Sequence, residues 1–328
     1  MNLDNKGDAV KMSMEIRLNT HGPGKLQTLA MISDEAGFNV VSTLIFGEKD
    51  AVLVDCQWTR SNAYRVIAEI CERNLNLKAV FATHAHPDHY WGIGHVKEAF
   101  PDTICYAMPE DIDTIEAQFG DKVEHWESII GKVNLCRKDR YPELTPLPAD
   151  NKIMLEGEEI IVFPQVWGDL QYNTVVWVPS ISTVIGSDVL FSNAHPFTCE
   201  VSANGRKKWI DALNKMEALG AEVVIPGHMK HGEPFDERSY KFTRDYLVAT
   251  DEELAKVKAK YGITEDGAVN EMAMKEFFYD MCMKVPEAIL IYLSNDMNSS
   301  VFLGGREWNW NNLNDGPDMT GINASIHR

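Results

Sequence analysis

Short apolar runs separated by turn residues recur through the first third of the chain, and they predict β-strands. Gly47 to Asp50 forms a turn between two of them, and an amphipathic segment over 62–71 predicts a helix. Another helix starts near Trp91. The predicted strands cover 13–18, 39–46, 51–55 and 77–83.

The second half of the chain repeats this order of strands and helices. Helices are predicted over 111–130 and 207–219, and 137–152 reads as a connection. The predicted strands cover 103–107, 158–166, 173–178, 183–185 and 221–225. Two β-rich halves, each with its own helices, predict an α/β (α+β) sandwich of two mixed sheets with helices on the outer faces.

From Asp236 onward the pattern is helical, with segments at 237–261, 272–283 and 287–293. We therefore divide the chain into a catalytic domain, a helical extension used as a lid or subunit contact, and a tail, at 13–235, 236–294 and 295–328. The apolar stripes of such an extension need a surface to cover them, so a homodimer is a possible arrangement.

Composition limits the partners. The formal net charge of -18 repels phosphate backbones and anionic membranes, so we expect no nucleic acid and no membrane, but a small-molecule substrate. No apolar run is long enough to span a bilayer, and residues 1–8 lack an apolar leader. The six cysteines form no CxxC pair, which favours reduced thiols and a cytoplasmic location.

The strongest chemical signal is a loop that follows the predicted strand 77–83. It places three imidazoles and one carboxylate within six residues, His84-Ala-His-Pro-Asp-His89. Imidazole and carboxylate are ligands for divalent transition metals. In an extended loop, alternate side chains converge on one side, so His84, His86 and Asp88 can meet while His89 points elsewhere. This spacing favours two ions over one.

Further ligands are expected at the ends of later strands. Asp188 follows the strand 183–185, His228 follows Pro226-Gly227, and Asp169 follows the strand 158–166. Such residues are often only turn residues. In this order after the histidine loop, however, they complete a metal-binding constellation.

With this set, the chain resembles the metallo-β-lactamase superfamily over roughly 28–235. The motifs that carry the resemblance are Thr83-His-Ala-His-Pro-Asp-His89, Leu53-Val-Asp55, Gly186-Ser-Asp188 and Pro226-Gly-His228. The resemblance implies a four-layer αβ/βα sandwich with a dinuclear site at one edge. It implies that His84 and His86 bind the first metal, that Asp88, His89 and His228 bind the second, that Asp188 bridges, and that Asp55 supports the histidine loop.

One position departs from the family pattern. Where the family usually has Gly-His-Thr, this chain has Gly168-Asp169-Leu170, so a carboxylate replaces the third imidazole of the first site. Asp169 either binds the metal or only forms hydrogen bonds near the site, and His195 is either a substitute ligand or a substrate contact. We expect two divalent ions, in the first place Zn²⁺, with Mn²⁺ or Fe²⁺ compatible with an oxygen-rich site.

The predicted function is a metal-dependent hydrolase that opens a small cyclic amide or ester, a lactam or lactone, by attack of metal-bound hydroxide on the carbonyl. Asp88 holds the nucleophile and passes its proton to the leaving group, and His195 is the second candidate catalytic residue. Alternatives are an iron-dependent oxygenase or redox enzyme on the same fold, a thioester hydrolase, and a non-enzymatic binding protein. The residues that could form an aromatic substrate pocket are Tyr90, Trp91, Trp167, Phe191 and Phe197.

Overall fold

The computed structural model describes residues 14–22, 24–136, 141–263 and 270–289. Within these residues the first of two large sheets has seven strands. The first four strands are antiparallel neighbours, and the last four run parallel. In order they are β1 (Met14–Asn19), β2 (Gln27–Ser33), β3 (Val41–Phe46), β4 (Asp50–Val54), β5 (Asn76–Phe81), β6 (Ile104–Ala107) and β7 (Thr145–Pro146).

The second sheet has five strands in the order β13-β11-β10-β9-β8. Its strands are β8 (Lys152–Leu155), β9 (Glu158–Val166), β10 (Asn173–Val178), β11 (Thr183–Ile185) and β13 (Val223–Ile225). Two very short strands, β12 (Phe191–Ser192) and β14 (His228–Met229), pair in parallel beside it. Both carry the chain past the candidate site described below.

The two sheets face each other across an apolar core, and helices cover their outer faces. In β4, Val52 and Val54 point to the inter-sheet core, whereas Ala51 and Leu53 join the cluster that packs against helices. Because both faces of this strand are buried, its sequence is a continuous apolar run without alternation.

The helices form the outer layers, and their ends show why they begin and stop where they do. Thr59 caps α1 and Ser202 caps α5, each by accepting a bond from a backbone N–H of the first turn, and α6 ends at Gly262 with φ of 68°. The helices are α1 (Arg60–Glu72), α2 (Pro87–Tyr90), α3 (Ile93–Ala99), α4 (Pro109–Ile130), α5 (Ala203–Glu217), α6 (Arg238–Tyr261) and α7 (Glu271–Lys284). This arrangement confirms the predicted four-layer sandwich.

The structure corrects the predicted elements at three places. The pattern misses β2, which contains Ala30, a residue depleted in strands, although the segment is buried on both faces. The connection over 137–152 contains the short β7 and the start of β8. The predicted helix 287–293 does not begin at its first residue, because Ile289 forms a β-bridge with Ala194 instead, and the positions from 290 lie outside the described residues.

Helices α6 and α7 pack against each other through an apolar cluster of their own, which includes Tyr246, Leu254 and Phe277. The proposed division of the chain at 235 and at 294, and a lid or dimer role for these helices, stay predictions; the tail 295–328 lies outside the described residues. Over the positions that the structure covers, no helix has the length and apolar character needed to cross a bilayer.

Candidate metal centre

The histidine loop follows the carboxyl end of β5, which lies in the parallel part of the first sheet. His86 has the extended backbone of a helix N-cap, with φ of -82° and ψ of 137°, and Pro87 begins α2. Proline fits the first position of a helix because its fixed φ is already helical and the N–H it lacks would have no partner there. The turn therefore presents His84 and His86 before the helix and Asp88 and His89 within it.

The fold brings the predicted ligands together. In the part of the chain that the structure describes, two groups of side chains have ligand atoms within 4.8 Å of one another: His84 with His86, Asp169 and Asp188, and Asp88 with His89 and His228. These groups have the membership that the family resemblance implies, with Asp169 in the position of the third imidazole.

Asp188 lies between the two groups. Its Oδ2 is 3.9 Å from Nε2 of His84 and 3.2 Å from Nε2 of His228, and its Oδ1 is 3.2 Å from Nε2 of His89. The close approach of the next strand requires a glycine, because a Cβ at Gly227 would lie 2.2 Å from Asp188 Oδ1. A single carboxylate thus contacts imidazoles from both groups, as a bridging ligand requires.

Three of the four imidazoles are oriented by hydrogen bonds to Nδ1, which leave Nε2 facing the centre. Nδ1 of His228 donates to the Phe38 carbonyl at 2.8 Å, and Nδ1 of His89 lies 2.7 Å from Asp55 Oδ2. Nδ1 of His84 lies 3.1 Å from Thr83 Oγ1. Such outer partners fix the tautomer and the ring direction of metal-binding histidines.

His86 is oriented the other way. Its Nδ1 is 2.8 Å from Asp169 Oδ2, while Asn173 Nδ2 donates to Asp169 Oδ1 at 2.8 Å. Asp169 is fully buried, and burial raises its pKa to about 6 against the opposing effect of His86. The carboxylate is therefore directed into the first group with its own supporting amide.

The chemistry of this set fits divalent metal ions. Nε2 of His84 is buried, has no hydrogen-bond partner within the described residues and comes no closer than 3.9 Å to the carboxylates of Asp188 and Asp169. The other inward-facing ligand atoms have only each other as neighbours, at 2.8 Å between His86 and Asp169 and at 3.2 Å between His89 and Asp188. Buried polar atoms are normally satisfied, and buried carboxylates are paired or bind metals. Burial alone would raise the pKa of Asp188, but His228 and His89 hold it well below its ordinary value, so a full negative charge sits between the groups.

Asp55 supports the loop from behind. Its Oδ1 accepts from the Thr83 backbone N–H at 2.9 Å, and its Oδ2 accepts from Thr83 Oγ1 at 3.0 Å as well as facing His89. Asp55 has a positive φ of 56° and is buried, so the surrounding fold holds it in place.

We expect Asp55→Asn to weaken metal binding about 10- to 100-fold, the usual effect of losing an outer partner of a ligand. An amide in place of the carboxylate turns one acceptor into a donor that faces Thr83 or His89, so their donors lose a partner. Isothermal titration of the metal-free variant with Zn²⁺ measures this. Unchanged affinity would show that Asp55 does not orient His89.

His195 belongs to neither of the two groups. Its Nδ1 lies 3.0 Å from the Tyr246 hydroxyl of α6, it is 1% exposed, and it is not a member of either group of ligand-competent side chains. Its position therefore gives no support to the expectation that it substitutes as a ligand. Its predicted contact with substrate stays a prediction.

Burial lowers the pKa of His195 to about 4. Near pH 6.5 the imidazole of His195 therefore binds a proton in the unfolded chain but not in the native chain. As the pH falls from 6.5 toward 4, this difference lowers the free energy of unfolding by up to about 3 kcal/mol. We expect the free energy of unfolding of the wild type to fall more steeply over this range than that of His195→Phe. Urea titrations of both proteins at several pH values measure the difference, and parallel curves would contradict it.

The predicted aromatic pocket is wrong for four of its five residues. Tyr90, Trp91 and Phe191 are at most 1% exposed and belong to the core, where Phe191 stacks on His228 with ring centroids 5.5 Å apart. Trp167 lies under Lys208 in a separate cavity beside α5. Only Phe197, half-buried with its ring edge-on to His86 at 5.7 Å, stays in position to meet a substrate.

Two buried charged residues near the loop have no signal in the sequence pattern. Glu200 faces the outer side of His86, and Lys122 of α4 donates to the Ala85 carbonyl at 3.1 Å. Neither residue directly follows a strand or belongs to a motif. A lysine in an amphipathic helix is expected on its solvent-exposed face, so the sequence gives no reason to place Lys122 near the loop. Only the three-dimensional packing reveals them.

Comparisons with known proteins agree with this fold. The model of the metallo-beta-lactamase superfamily matches residues 36–228, more than half of the chain, so the chain belongs to this superfamily of metallo-hydrolases. The metallo-beta-lactamase from Pontibacter korlensis shares 17% identity, with 71% of this chain and 99% of that chain covered and a TM-score of 0.53. The metallo-beta-lactamase IND-7 shares 20% identity, with 71% of this chain and 98% of that chain covered and a TM-score of 0.52. A search of curated proteins gives no match.

Proposed function

We propose that the chain is a dinuclear metal hydrolase that opens a small lactone or lactam ring. The observation that carries the proposal is the buried cluster of seven ligand-competent side chains in two adjoining groups. Bound divalent ions would lower the pKa of water and polarise a carbonyl group. The residues that would hold them are His84, His86, Asp88, His89, Asp169, Asp188 and His228, with zinc favoured by the four imidazoles.

Asp88 has the position of a proton carrier. Its side chain is 12% exposed, compared with 3% for Asp188 and 0% for Asp169, and its Oδ2 lies 3.3 Å from Nε2 of His228. The imidazoles His89 and His228 overcome the effect of burial and lower its pKa, so it is ionised at neutral pH. Asp88 can therefore accept a proton from the attacking water and return it to the leaving oxygen or nitrogen.

The opening of the site also fits a small, uncharged ring. Among the ligand side chains, the more exposed ones are Asp88 and His86, at 12% and 11%. Phe197 stands beside His86 and offers an apolar edge to a ring placed there. The negative net charge disfavours polyanionic substrates at this opening.

The test is a panel of γ- and δ-lactones, β-lactams and acyl thioesters, assayed with protein reconstituted with Zn²⁺. We expect the cyclic esters or amides to be hydrolysed, and kcat/KM to fall about 10²- to 10⁴-fold in Asp88→Asn, the range that general acid–base catalysis contributes. Elemental analysis should find at least one ion retained in this variant. Full activity of Asp88→Asn would remove its role, and preference for open-chain thioesters would change the substrate class.

One observation favours a second candidate, an iron-dependent redox enzyme. The first group contains two carboxylates, Asp169 and Asp188, and oxygen-rich sites accept iron and manganese. Iron in the protein purified without added metal, together with oxygen consumption, would favour this candidate. Zinc without oxygen consumption would favour the hydrolase.

A further inference from the structure

His86 is held between two carboxylates, one on each ring nitrogen. Asp169 faces Nδ1 within the metal cluster, and Oε1 of Glu200 lies 3.6 Å from Nε2 on the opposite side of the ring. Glu200 comes from the irregular segment that precedes α5, outside both groups of ligand-competent residues.

Glu200 is buried and incompletely satisfied. It is 4% exposed, and its Oε2 has no hydrogen-bond partner within the described residues. Burial of a carboxylate without partners for its oxygens is unfavourable in free energy, so this arrangement needs an explanation. Its position behind a metal-facing imidazole supplies one, because metal-binding histidines donate their second ring N–H to a carboxylate, a carbonyl or water.

Lys122 supplies a positive charge that is opposite to the charge of Glu200. Its side chain also binds the backbone of the histidine loop. Its ammonium donates to the carbonyl of Ala85, the residue between His84 and His86. Burial lowers the pKa of Lys122 to about 8, and Glu200 is the strongest of the acidic groups that oppose this shift. A glutamate and a lysine from different elements thus fix the ring and the peptide of the first-site ligands.

We propose that Glu200 is a positioning residue that accepts a hydrogen bond from Nε2 of His86 and so holds the ring with Nδ1 toward the first metal ion. This inference rests on the proposed metal centre. The other three imidazoles face the centre through Nε2, whereas His86 faces it through Nδ1. Its ring therefore needs a partner on the opposite side, at Nε2. Asp169 cannot set this orientation if it is itself a ligand, which leaves the task to a residue on the outer side.

Two variants of nearly equal size separate the hydrogen bond from packing. Glu200→Gln retains an oxygen that accepts from Nε2, whereas Glu200→Met fills the same volume without an acceptor. The full-length protein is stripped of metal, its folding is checked by circular dichroism, and it is titrated with Co²⁺ against a chromophoric chelator while the absorption of the bound ion is recorded.

We expect Glu200→Met to bind the first ion about 10- to 100-fold more weakly, while the second ion binds as in the wild type. Glu200→Gln should stay within about threefold of the wild type, since its oxygen accepts the same bond. Equal losses in both variants, or unchanged affinity in Glu200→Met beside a wild type that binds two ions, would overturn this inference alone. A wild type that binds no ion would overturn the proposed function with it.

Discussion

Asp188→Asn is expected to remove binding of both metal ions at once. Asp188 is the carboxylate that contacts imidazoles of both groups, at 3.2 Å from His89 and His228 and at 3.9 Å from His84. An asparagine offers one neutral oxygen where two charged ones are needed. A bound ion contributes several kcal/mol to transition-state stabilisation, so we expect hydrolysis to fall about 1,000-fold or more.

Asp169→Asn is the matched control, because it makes the same chemical change at a carboxylate that contacts only the first group. Metal content per chain, measured by elemental mass spectrometry after gel filtration, should drop to near zero in Asp188→Asn but to about one ion in Asp169→Asn. If Asp188→Asn still carries two ions, Asp188 does not bridge. If Asp169→Asn also keeps two, Asp169 only hydrogen-bonds beside the site.

Much of this centre is predictable because its chemistry is local in sequence. The loop from His84 to His89 places four ligands on one turn, and Pro87 limits the conformations of that turn. Asp169, Asp188 and His228 follow strands, and in sheets of this kind the strand ends meet at one edge. Spacing and strand ends together therefore identify the groups that the fold assembles.

The remaining contributions come from contacts between distant segments, which no local pattern encodes. The Phe38 carbonyl orients His228 across 190 positions of the chain. Glu200 stands on an irregular segment and Lys122 on a helix face, so neither has a periodicity that marks it. His195 became a candidate through its place soon after Asp188, but the contact of its ring with Tyr246 of α6 has no signal in the sequence.

The fold shows the same division. Strand β4 is recognisable as a run of apolar residues, and its burial on both faces explains that run. Strand β2 has a comparable apolar run but contains Ala30, which is depleted in strands, so propensity alone does not identify it. Its two neighbours in the sheet stabilise it. The end of the described chain at Ile289 is drawn into a bridge with Ala194 by tertiary contact, against the helical pattern of its own residues.

Removal of metal is expected to lower the melting temperature by about 10 °C. Each of two ions present at 1,000 times its dissociation constant stabilises the native chain by about 4 kcal/mol, and each kcal/mol shifts the midpoint by about 1.5 °C in a chain of 328 residues. The fold should persist without metal, because the extensive inter-sheet core lies apart from the centre and imidazole–carboxylate contacts such as His86 with Asp169 balance part of its charge.

Differential scanning calorimetry of the Zn²⁺-loaded protein, with and without a chelator, measures this shift. Asp188→Asn provides the control, since a chain that binds no ion should melt at the same temperature in both conditions. A chelator effect of equal size in Asp188→Asn would place the stabilising ion elsewhere in the molecule. A wild type whose ions are removed without any change in melting temperature would show that the buried carboxylates Asp169 and Asp188 do not depend on metal for their place in the fold.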